Sequence, residues 1–460
     1  MQKKSISLYA RTLILILLSA AGLGCQQEEN ASRVVLITLD TLRYDSFSDV
    51  DGNPTEMPRL AAWAQDAAVF DRYYSAAPST QPSHSSMFTG LQPWEHGVAH
   101  NGLVLDNAYQ TVAEHLKNAG FTTSAVIASL PVGERFGYAQ GFDRFLEDFE
   151  TGKLNVSWRR AVDKAEDVRE DGAEPDPETF FNLGDIITDR AVAEIDAATG
   201  PRQFFWFHYF DPHAPWGDTG DERALGPLYV ERQIEEKRDV DGVLRRARRL
   251  YDQDVDALDR QMERILSRLD QDASEIPTHI ILVADHGESF GEDGSLGHGR
   301  RLTTWQLHVP LLIRSPKVEP GRRQDVVGSI DIAATLLALA GVDVELPRSR
   351  PAIARDLTSP PSRPGRAFGM RRPFGNTGIR ELRTDGERYP LRGNLFFMVD
   401  ENGNLVRGNG RRSENVADEA TAEELRNLFG DLEAQLARRS AEKVDDEDTR
   451  RGLEALGYTN

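Results

Sequence analysis

Cysteine is the scarcest residue of this chain: Cys25 is the only one among 460 residues. A single thiol cannot form a disulfide within the chain, so no internal disulfide stabilises the fold. Positive charge is also in deficit, since 54 Lys and Arg oppose 74 Asp and Glu and leave a formal net charge of −20. A surface of this sign repels phosphate backbones, so a general nucleic-acid-binding protein is not expected.

Long apolar runs are scarce as well, and the one near the N-terminus, residues 13–18, is too short for a membrane-spanning helix. It follows three basic residues and precedes small ones, so residues 1–24 are interpreted as a secretion signal. The lone Cys25 comes next and resembles the lipidated cysteine of a bacterial lipoprotein; the alternative is a cleaved signal and an idle thiol. We expect residues 25–32 to be a tether, and the protein to lie in the bacterial cell envelope, lipid-anchored to the membrane and facing away from the cytoplasm.

What the chain does contain is an alternation of strand and helix patterns. With 460 residues, 39% of them hydrophobic, it is long enough for a large globular α/β domain and a smaller companion. Apolar, β-rich runs predict strands of a parallel sheet at residues 33–39, 69–74, 121–128, 203–207, 279–284 and 309–314. Helical patterns lie between them, at residues 57–68, 111–120, 232–270 and 330–340. This alternation predicts a doubly wound α/β fold.

The pattern changes at about residue 346. Short strand patterns with hairpin signals appear at residues 378–383 and 394–399, and an amphipathic helix pattern follows at residues 422–438. We therefore divide the chain into a large α/β domain over residues 33–345 and a small antiparallel α+β subdomain over residues 346–460. Residues 155–178 are charged and lack an apolar period, so we expect them to form a surface insertion.

Side chains that can bind a metal or transfer a proton follow several of the predicted strands. Open α/β sheets place their chemistry at this C-terminal edge of the strands, although an Asp there also caps turns and a His is often an ordinary loop residue. The candidates are Asp40 after the first strand, Asp211 and His213 after the fourth, Asp285 and His286 after the fifth, and His298 in a glycine-rich loop beyond it.

Residues 77–90 form the stretch around which the other motifs are arranged. Pro82 suits the first turn of a helix, which puts Thr80 at or just before the helix start. A hydroxyl there meets free backbone N–H groups and the positive end of the helix dipole, a place that also binds the oxyanion ester of a substrate. The simpler interpretation is that Thr80 or Ser79 is only an N-cap.

One candidate set offers two carboxylates, a hydroxyl and an imidazole to a single divalent metal ion: Asp40, Thr80, Asp285 and His286. The nitrogen favours Zn²⁺, and the oxygens favour Ca²⁺ or Mg²⁺. An ion that touches the Thr80 hydroxyl would make it a nucleophile, while His213 and His298 would hold the oxyanion or protonate the leaving group. A second metal ion, held by Asp211, His213 and His298, is a further alternative.

These segments resemble, in order along nearly all of the chain after residue 32, the sulfatase family of the alkaline-phosphatase superfamily. The resemblance is carried by the motifs at residues 35–43, 80–90, 208–215, 284–288, 309–314, 330–341 and 453–458. It implies a central, mostly parallel sheet sandwiched by helices, with a small C-terminal antiparallel α+β subdomain. It also implies metal-dependent cleavage of sulfate or phosphate esters, with residues 33–345 as the catalytic domain.

The resemblance assigns roles by position. It implies that Asp40, Asp285 and His286 are metal ligands and that three other side chains contact the transferring group: Asn101, His213 and His298. His84 and Asp211 are expected to help bind the substrate. The substrate itself is expected to be an anionic ester of a glycan, a lipid or a small molecule.

The chain departs from the sulfatase pattern at four positions. Thr80 stands where sulfatases have a Cys or Ser that matures to formylglycine, and His84 stands where they have Arg. Thr41 replaces the second of two paired acids, and His298 occupies the position of a catalytic Lys. A threonine nucleophile looks more like the phosphodiesterases and phosphoethanolamine transferases of the superfamily, so a phosphoester is the favoured substrate.

Three functional hypotheses follow. The first is a metal-dependent hydrolase of phosphate or sulfate esters that acts outside the cytoplasm. The second is a phosphoryl or phosphoethanolamine transferase of the same fold, which an added acceptor alcohol would reveal in product analysis. The third is an inactive, envelope-binding lipoprotein, which need not contain stoichiometric metal.

Overall fold

A computed structural model describes residues 31–48, 55–148, 181–217, 219, 224–360, 364–373, 380–391, 393–416, 418–439, 443–444, 449 and 453. The predicted signal, Cys25 and the predicted insertion at residues 155–178 lie outside these ranges, as does most of the predicted tether. Across the described ranges, no helix combines the length and apolar character needed to cross a membrane.

The strands, numbered in chain order, are β1 (Ser32–Leu39), β2 (Ala68–Tyr74), β3 (Thr122–Ile127), β4 (Arg144–Leu146), β5 (Arg202–Tyr209), β6 (Thr278–Ala284), β7 (Ser289–Phe290), β8 (Leu296–Gly297), β9 (Leu311–Arg314), β10 (Gly321–Gly328), β11 (Ala367–Arg371), β12 (Arg380–Leu382), β13 (Arg388–Pro390), β14 (Leu395–Val399), β15 (Leu405–Asn409) and β16 (Arg412–Glu414). The α-helices are α1 (Tyr44–Phe47), α2 (Pro58–Trp63), α3 (Thr80–Thr89), α4 (Pro93–His96), α5 (Val112–Asn118), α6 (Gly184–Ala197), α7 (Pro227–Glu235), α8 (Val240–Gln271), α9 (Thr304–Leu307), α10 (Ile330–Ala340) and α11 (Glu419–Ala437).

The central sheet has eight strands in the order β10-β2-β9-β6-β1-β5-β3-β4. Neighbouring strands are parallel except at β9, which runs antiparallel to both β2 and β6. The predicted mostly parallel sheet is therefore confirmed. Its central strand, β1, is an apolar run that is almost wholly buried, as expected of a strand that is covered on both faces.

Two groups of helices flank the sheet. Helices α3, α5 and α10 contact one another, and α8 contacts both α2 and α6. The predicted helix start at Thr111 is confirmed, because Thr111 and Glu114 form a capping box at the start of α5. Helix α10 also has its predicted bounds, and Gly341 ends it in the left-handed conformation with φ of 67°.

Two predictions about elements need correction, and strand β10 of the central sheet was missed. The single helical region predicted at residues 232–270 is two helices, because Asp239 interrupts it with φ of 39° and accepts a hydrogen bond from Gly242 N as the N-cap of α8. The helix predicted at residues 57–68 ends at Trp63 and continues as the 3₁₀ turn Ala64–Asp66. Strand β10 was not predicted, because as an edge strand it is polar over its first half and offers no apolar run.

The C-terminal part contains an antiparallel sheet in the order β11-β14-β15-β16, with helix α11 packed against it. Strands β12 and β13 form the predicted hairpin, of which residues 378–379 lie outside the described ranges. Strand β11 ties this sheet to the large domain, because Met370 N donates a hydrogen bond of 2.9 Å to the carbonyl of Ala76. Residue 76 lies four residues before Thr80, so the C-terminal sheet stands beside the start of α3.

Candidate active site

The side chains that follow β1 and β6 meet at the C-terminal edge of the central sheet. Strands β1 and β6 are parallel neighbours, so Asp40 and Asp285 leave the sheet side by side. Nε2 of His286 lies 3.7 Å from Oδ1 of Asp40 and 3.6 Å from Oδ2 of Asp285. All three side chains are fully buried, and their ligand atoms lie within 4.8 Å of one another. The predicted convergence of these residues is confirmed.

Thr80 is the first residue of α3 and adjoins this cluster. Its Oγ1 lies 3.4 Å from Nε2 of His286. Ser79 holds the N-cap position in an extended conformation without a side-chain cap hydrogen bond. The capping contact comes instead from Asn101, whose Oδ1 accepts a hydrogen bond of 2.9 Å from Gln81 N. The helix start is therefore capped from another segment, and the Thr80 hydroxyl faces the carboxylate and imidazole cluster.

The electrostatics of the cluster fit a bound cation. Burial raises the pKa of Asp40 well above its usual range, and the nearby charges of Asp285 and Glu288 raise it further. Burial likewise raises the pKa of Asp285, although hydrogen bonds from the His286 and Thr41 backbones oppose the shift. Among the described residues, neither Asp40 oxygen nor Oδ2 of Asp285 has a hydrogen-bond partner. Two such carboxylates are costly to bury together unless a cation offsets their charge, so this donor set suits a divalent metal ion.

Two buried histidines lie against the paired carboxylates. Nδ1 of His84 is 2.9 Å from the carbonyl of Thr80 and 3.5 Å from Oδ2 of Asp285, and burial lowers its pKa to about 4. Nε2 of His208 is 3.7 Å from Oδ2 of Asp40 and 3.0 Å from Oγ of Ser129. His84 was predicted to bind substrate, and the structure places it one helical turn after Thr80, in contact with Asp285.

His208 was not among the predicted site residues. It lies in β5 directly opposite Thr38 of β1, and its Nδ1 is 3.0 Å from Oγ1 of Thr38. Alternation along β5 puts His208 on the same face as Trp206, whose Nε1 donates to the same hydroxyl. This alternation can be read from the sequence, but it identifies His208 as a site residue only when β1 and β5 are known to be neighbours.

His298 and His213 extend the site along one side. The His298 ring lies 4.4 Å from that of His286 and 5.0 Å from that of His213, between ring centroids. Nδ1 of His298 is 3.0 Å from Oε1 of Glu288. Glu288 was also not predicted, although it follows the Asp285 and His286 pair by only two residues. The structure thus brings His213 and His298 to the cluster, with Glu288 fixing the His298 ring.

Asp211 does not join them, which corrects the alternative of a second metal ion held by Asp211, His213 and His298. Its Oδ1 accepts a hydrogen bond of 2.8 Å from Gly184 N at the start of α6. Burial raises the pKa of Asp211 to about 7. In the described part of the chain, the only three-residue cluster with metal-binding spacing is Asp40, Asp285 and His286. Asp211 stays out of this cluster because the N-terminus of α6 binds its carboxylate instead.

The glycine-rich loop that carries His298 is held by the hairpin β12–β13. Arg383 donates from Nη2 to the carbonyl of Asp293 at 3.1 Å and from Nε to that of Gly294 at 3.3 Å. Gly294 has φ of 76°, and a side chain there would collide with the Arg383 guanidinium. Arg301, at the other end of the loop, donates to Oε1 of Glu381 at 2.7 Å. The C-terminal part of the chain therefore positions a loop of the candidate site.

The chain is similar to known proteins in sequence and in fold. The profile of the Sulfatase family matches residues 32–342. The chain is 24% identical over 356 residues to choline-sulfatase of Rhizobium meliloti (strain 1021), covering 68% of each sequence. It is similar in structure to the phosphonate monoester hydrolases of Silicibacter pomeroyi and Agrobacterium radiobacter, at 21% and 19% identity with a TM-score of 0.59 for each. These likenesses cover 88% of this chain and 94% and 95% of the other two, and they establish a shared fold.

Proposed function

Because the chain belongs to the sulfatase family and is an ester hydrolase of the alkaline-phosphatase superfamily, we propose that it is a metal-dependent enzyme that favours phosphate esters over sulfate esters. The observation that carries this proposal is the position of the Thr80 hydroxyl, 3.4 Å from His286 at the edge of the Asp40, Asp285 and His286 cluster. A nucleophile beside a cation-binding group at a helix N-terminus favours attack on an anionic ester, because the cation activates the hydroxyl and the helix start binds the anion.

Asp40, Asp285 and His286 would hold the metal ion. When bound, a divalent cation offsets the negative charge of the ester and makes an alcohol easier to deprotonate. His84 and His208 would keep the two carboxylates in place, since each imidazole lies against one of them. The backbone N–H groups of His286 and Thr41 hold Oδ1 of Asp285, at 2.7 and 3.2 Å, and leave Oδ2 for the ion.

The proposed reaction has two steps. Oγ1 of Thr80 forms a bond to phosphorus as the bond to the leaving oxygen breaks, and the hydroxyl proton passes to water. We assign protonation of the leaving oxygen to His298, because Glu288 holds its Nδ1 at 3.0 Å and its ring lies 4.4 Å from that of His286, beside the cluster. Water then attacks the threonyl phosphate, which releases phosphate and restores Thr80. Nδ2 of Asn101, buried and without a partner among the described residues, is a donor for a non-bridging oxygen of the ester.

A matched pair of substrates tests the preference. A sulfate ester of Thr80 would be slow to hydrolyse, whereas a phosphate ester can be broken by attack of water at phosphorus. We expect an aryl phosphate to have kcat/KM more than about tenfold above that of the sulfate of the same phenol, measured with the metal-loaded protein. Equal or faster cleavage of the sulfate would contradict the proposal, and transfer of phosphate to an added alcohol in place of water would identify a transferase.

We also propose that the enzyme acts in the bacterial cell envelope and that Cys25 carries lipid as the mature N-terminus. The support is the basic, apolar and small-residue pattern of residues 1–24, which ends at the only cysteine of the chain. One acyl chain anchors a protein only marginally, so we expect a multiply acylated cysteine. Mass spectrometry of the N-terminal peptide should show it, and Cys25→Ala should move the protein from the membrane fraction. An unmodified thiol on a released protein would refute this.

A further inference from the structure

The turn that follows β1 has an unusual backbone at Thr41. Its φ of 54° lies in the left-handed region, which glycine adopts freely and a β-branched residue almost never does. Thr41 is fully buried, and its Oγ1 has no hydrogen-bond partner within the described part of the chain. The side chain of Thr41 therefore does not offset the strain. A conformation of this kind persists only where surrounding groups impose it.

One hydroxyl group from α8 imposes it. Oη of Tyr251 donates a hydrogen bond of 3.0 Å to the carbonyl of Thr41 and accepts one of 2.9 Å from Arg43 N. Tyr251 is fully buried, and its ring lies 5.1 Å from that of Phe290 between centroids. A single fixed hydroxyl thus bridges the two ends of the turn.

The conformation of Thr41 bears directly on the ion cluster. Thr41 N donates to Oδ1 of Asp285 at 3.2 Å. Strand β1 fixes the chain before Thr41, and the buried Leu42 fixes it afterwards. A relaxation of φ at Thr41 must therefore be taken up by rotation of the adjoining peptide groups, and the one between Asp40 and Thr41 carries this N–H.

We propose that Tyr251 is a positioning residue for the ion cluster. Its hydroxyl holds Thr41 in the left-handed conformation, which directs Thr41 N–H to Oδ1 of Asp285 and leaves Oδ2 for the ion. The inference rests on the proposed function, because it takes Asp285 as a ligand of a divalent cation. Tyr251 touches neither the ion nor the substrate in this scheme, and it takes no part in the chemical step.

Tyr251→Phe removes this hydroxyl and keeps the ring. We expect the Kd of the ion to rise about tenfold, at the lower end of the range for groups that orient metal ligands. The loss is limited because Nη1 of Arg43 still donates to the carbonyl of Glu288 at 3.1 Å and retains part of the turn. Zn²⁺, Ca²⁺ and Mg²⁺ are titrated by calorimetry into the chelator-treated full-length protein, and the ion that the unsubstituted protein binds most tightly is used for every variant.

Two substitutions of Thr41 separate positioning from the general loss of a buried hydrogen bond. Thr41→Gly and Thr41→Ala both remove the hydroxyl, but only glycine takes a positive φ without strain. In the Thr41→Ala background, Tyr251→Phe should still weaken ion binding about tenfold, whereas in the Thr41→Gly background the loss should be less than about threefold. A purely structural role of Tyr251 would give the same loss in both backgrounds.

Tyr209→Phe is the matched control. Tyr209 is also fully buried, and its hydroxyl lies 3.0 Å from Oγ1 of Thr188 in α6. Its substitution should lower the melting temperature, as Tyr251→Phe does, and leave the Kd of the ion unchanged. An equal rise of the Kd in Tyr209→Phe would show that any lost buried hydroxyl weakens the cluster, and would overturn the proposal.

The remaining outcomes distinguish this proposal from the one on which it rests. An unchanged Kd in Tyr251→Phe, or equal losses in the glycine and alanine backgrounds, overturns the positioning role alone. No ion binding by the unsubstituted protein overturns the proposed function with it. Should Tyr251→Phe not fold by itself, the double variant with Thr41→Gly decides: we expect it to fold and bind the ion, and a double variant that stays unfolded or binds weakly overturns the positioning role.

Discussion

Replacing Thr80 with alanine will lower kcat for an aryl phosphate by on the order of 10³- to 10⁶-fold, the loss seen when other enzymes lose their nucleophile. The substitution removes the hydroxyl that lies 3.4 Å from Nε2 of His286, while the helix start keeps its cap from Asn101. Thr80→Ser should retain a measurable part of the activity, because the attacking oxygen remains. Steady-state kinetics with the metal-loaded proteins measures both effects.

Thr89→Ala is the matched control for this loss. Thr89 is buried at the opposite end of the same helix, where its hydroxyl donates to the carbonyl of Ser85 at 2.7 Å. It therefore tests whether removal of a buried threonine hydroxyl from α3 is enough to impair the enzyme, and we expect kcat to stay near normal. Near-normal turnover by Thr80→Ala would show that water attacks directly and that Thr80 only starts the helix.

Removing the metal ion, or one of its carboxylates, should produce the second large effect. Chelation should abolish activity and lower the melting temperature by about 3–5 °C, because an ion that binds only the folded state stabilises it by mass action. Asp285→Asn should lower kcat/KM by on the order of 10²-fold or more and make the melting temperature insensitive to chelator. In chelator, Asp285→Asn should melt no lower than the unsubstituted protein, because it removes repulsion between two buried carboxylates and retains Oδ1 for its backbone donors.

Asp259→Asn separates this effect from the general cost of altering a buried carboxylate. Asp259 is fully buried in α8 and accepts hydrogen bonds from the backbone N–H groups of Arg59 and Leu60, away from the ion cluster. Its substitution should lower the melting temperature and leave the response to chelator intact. A chelator response that persists in Asp285→Asn would mean that the stabilising ion binds elsewhere.

Much of this arrangement was predictable because local chemistry specifies it. The buried runs of β1 and β6 are continuously apolar, as expected of strands that are covered on both faces. An aspartate follows each run directly. Parallel strands bring their C-terminal ends to one edge, so Asp40, Asp285 and His286 could be placed together before the sheet order was known. The start of α5 is also specified locally, because Thr111 and Glu114 have the fixed spacing of a capping box.

The remainder depends on tertiary contacts that leave little trace in the sequence. Asp211 follows its strand much as Asp40 does. Its carboxylate, however, accepts a hydrogen bond from the N-terminus of α6, which begins 27 residues earlier in the chain. His208 became a site residue only through the pairing of β5 with β1. Strand β10 is recognisable only from its pairing with β2, because its sequence is that of a polar edge. In each case the deciding partner is remote, and the pattern of one segment cannot identify it.

The position of β1 in the sheet has a consequence for the order of folding. It is the first of the described strands along the chain, and its two neighbours are β5 and β6, so its ladder is completed only by residues that follow much later. The pairing of Thr38 with His208 closes 170 residues, and the contact of Thr41 with Asp285 closes 244. Such non-local contacts make folding slow, because loop-closure entropy must be overcome before they form. We therefore expect the cation cluster to form only after β6 has been made, and a chain that stops short of β6 to retain an apolar central strand with one edge unpaired.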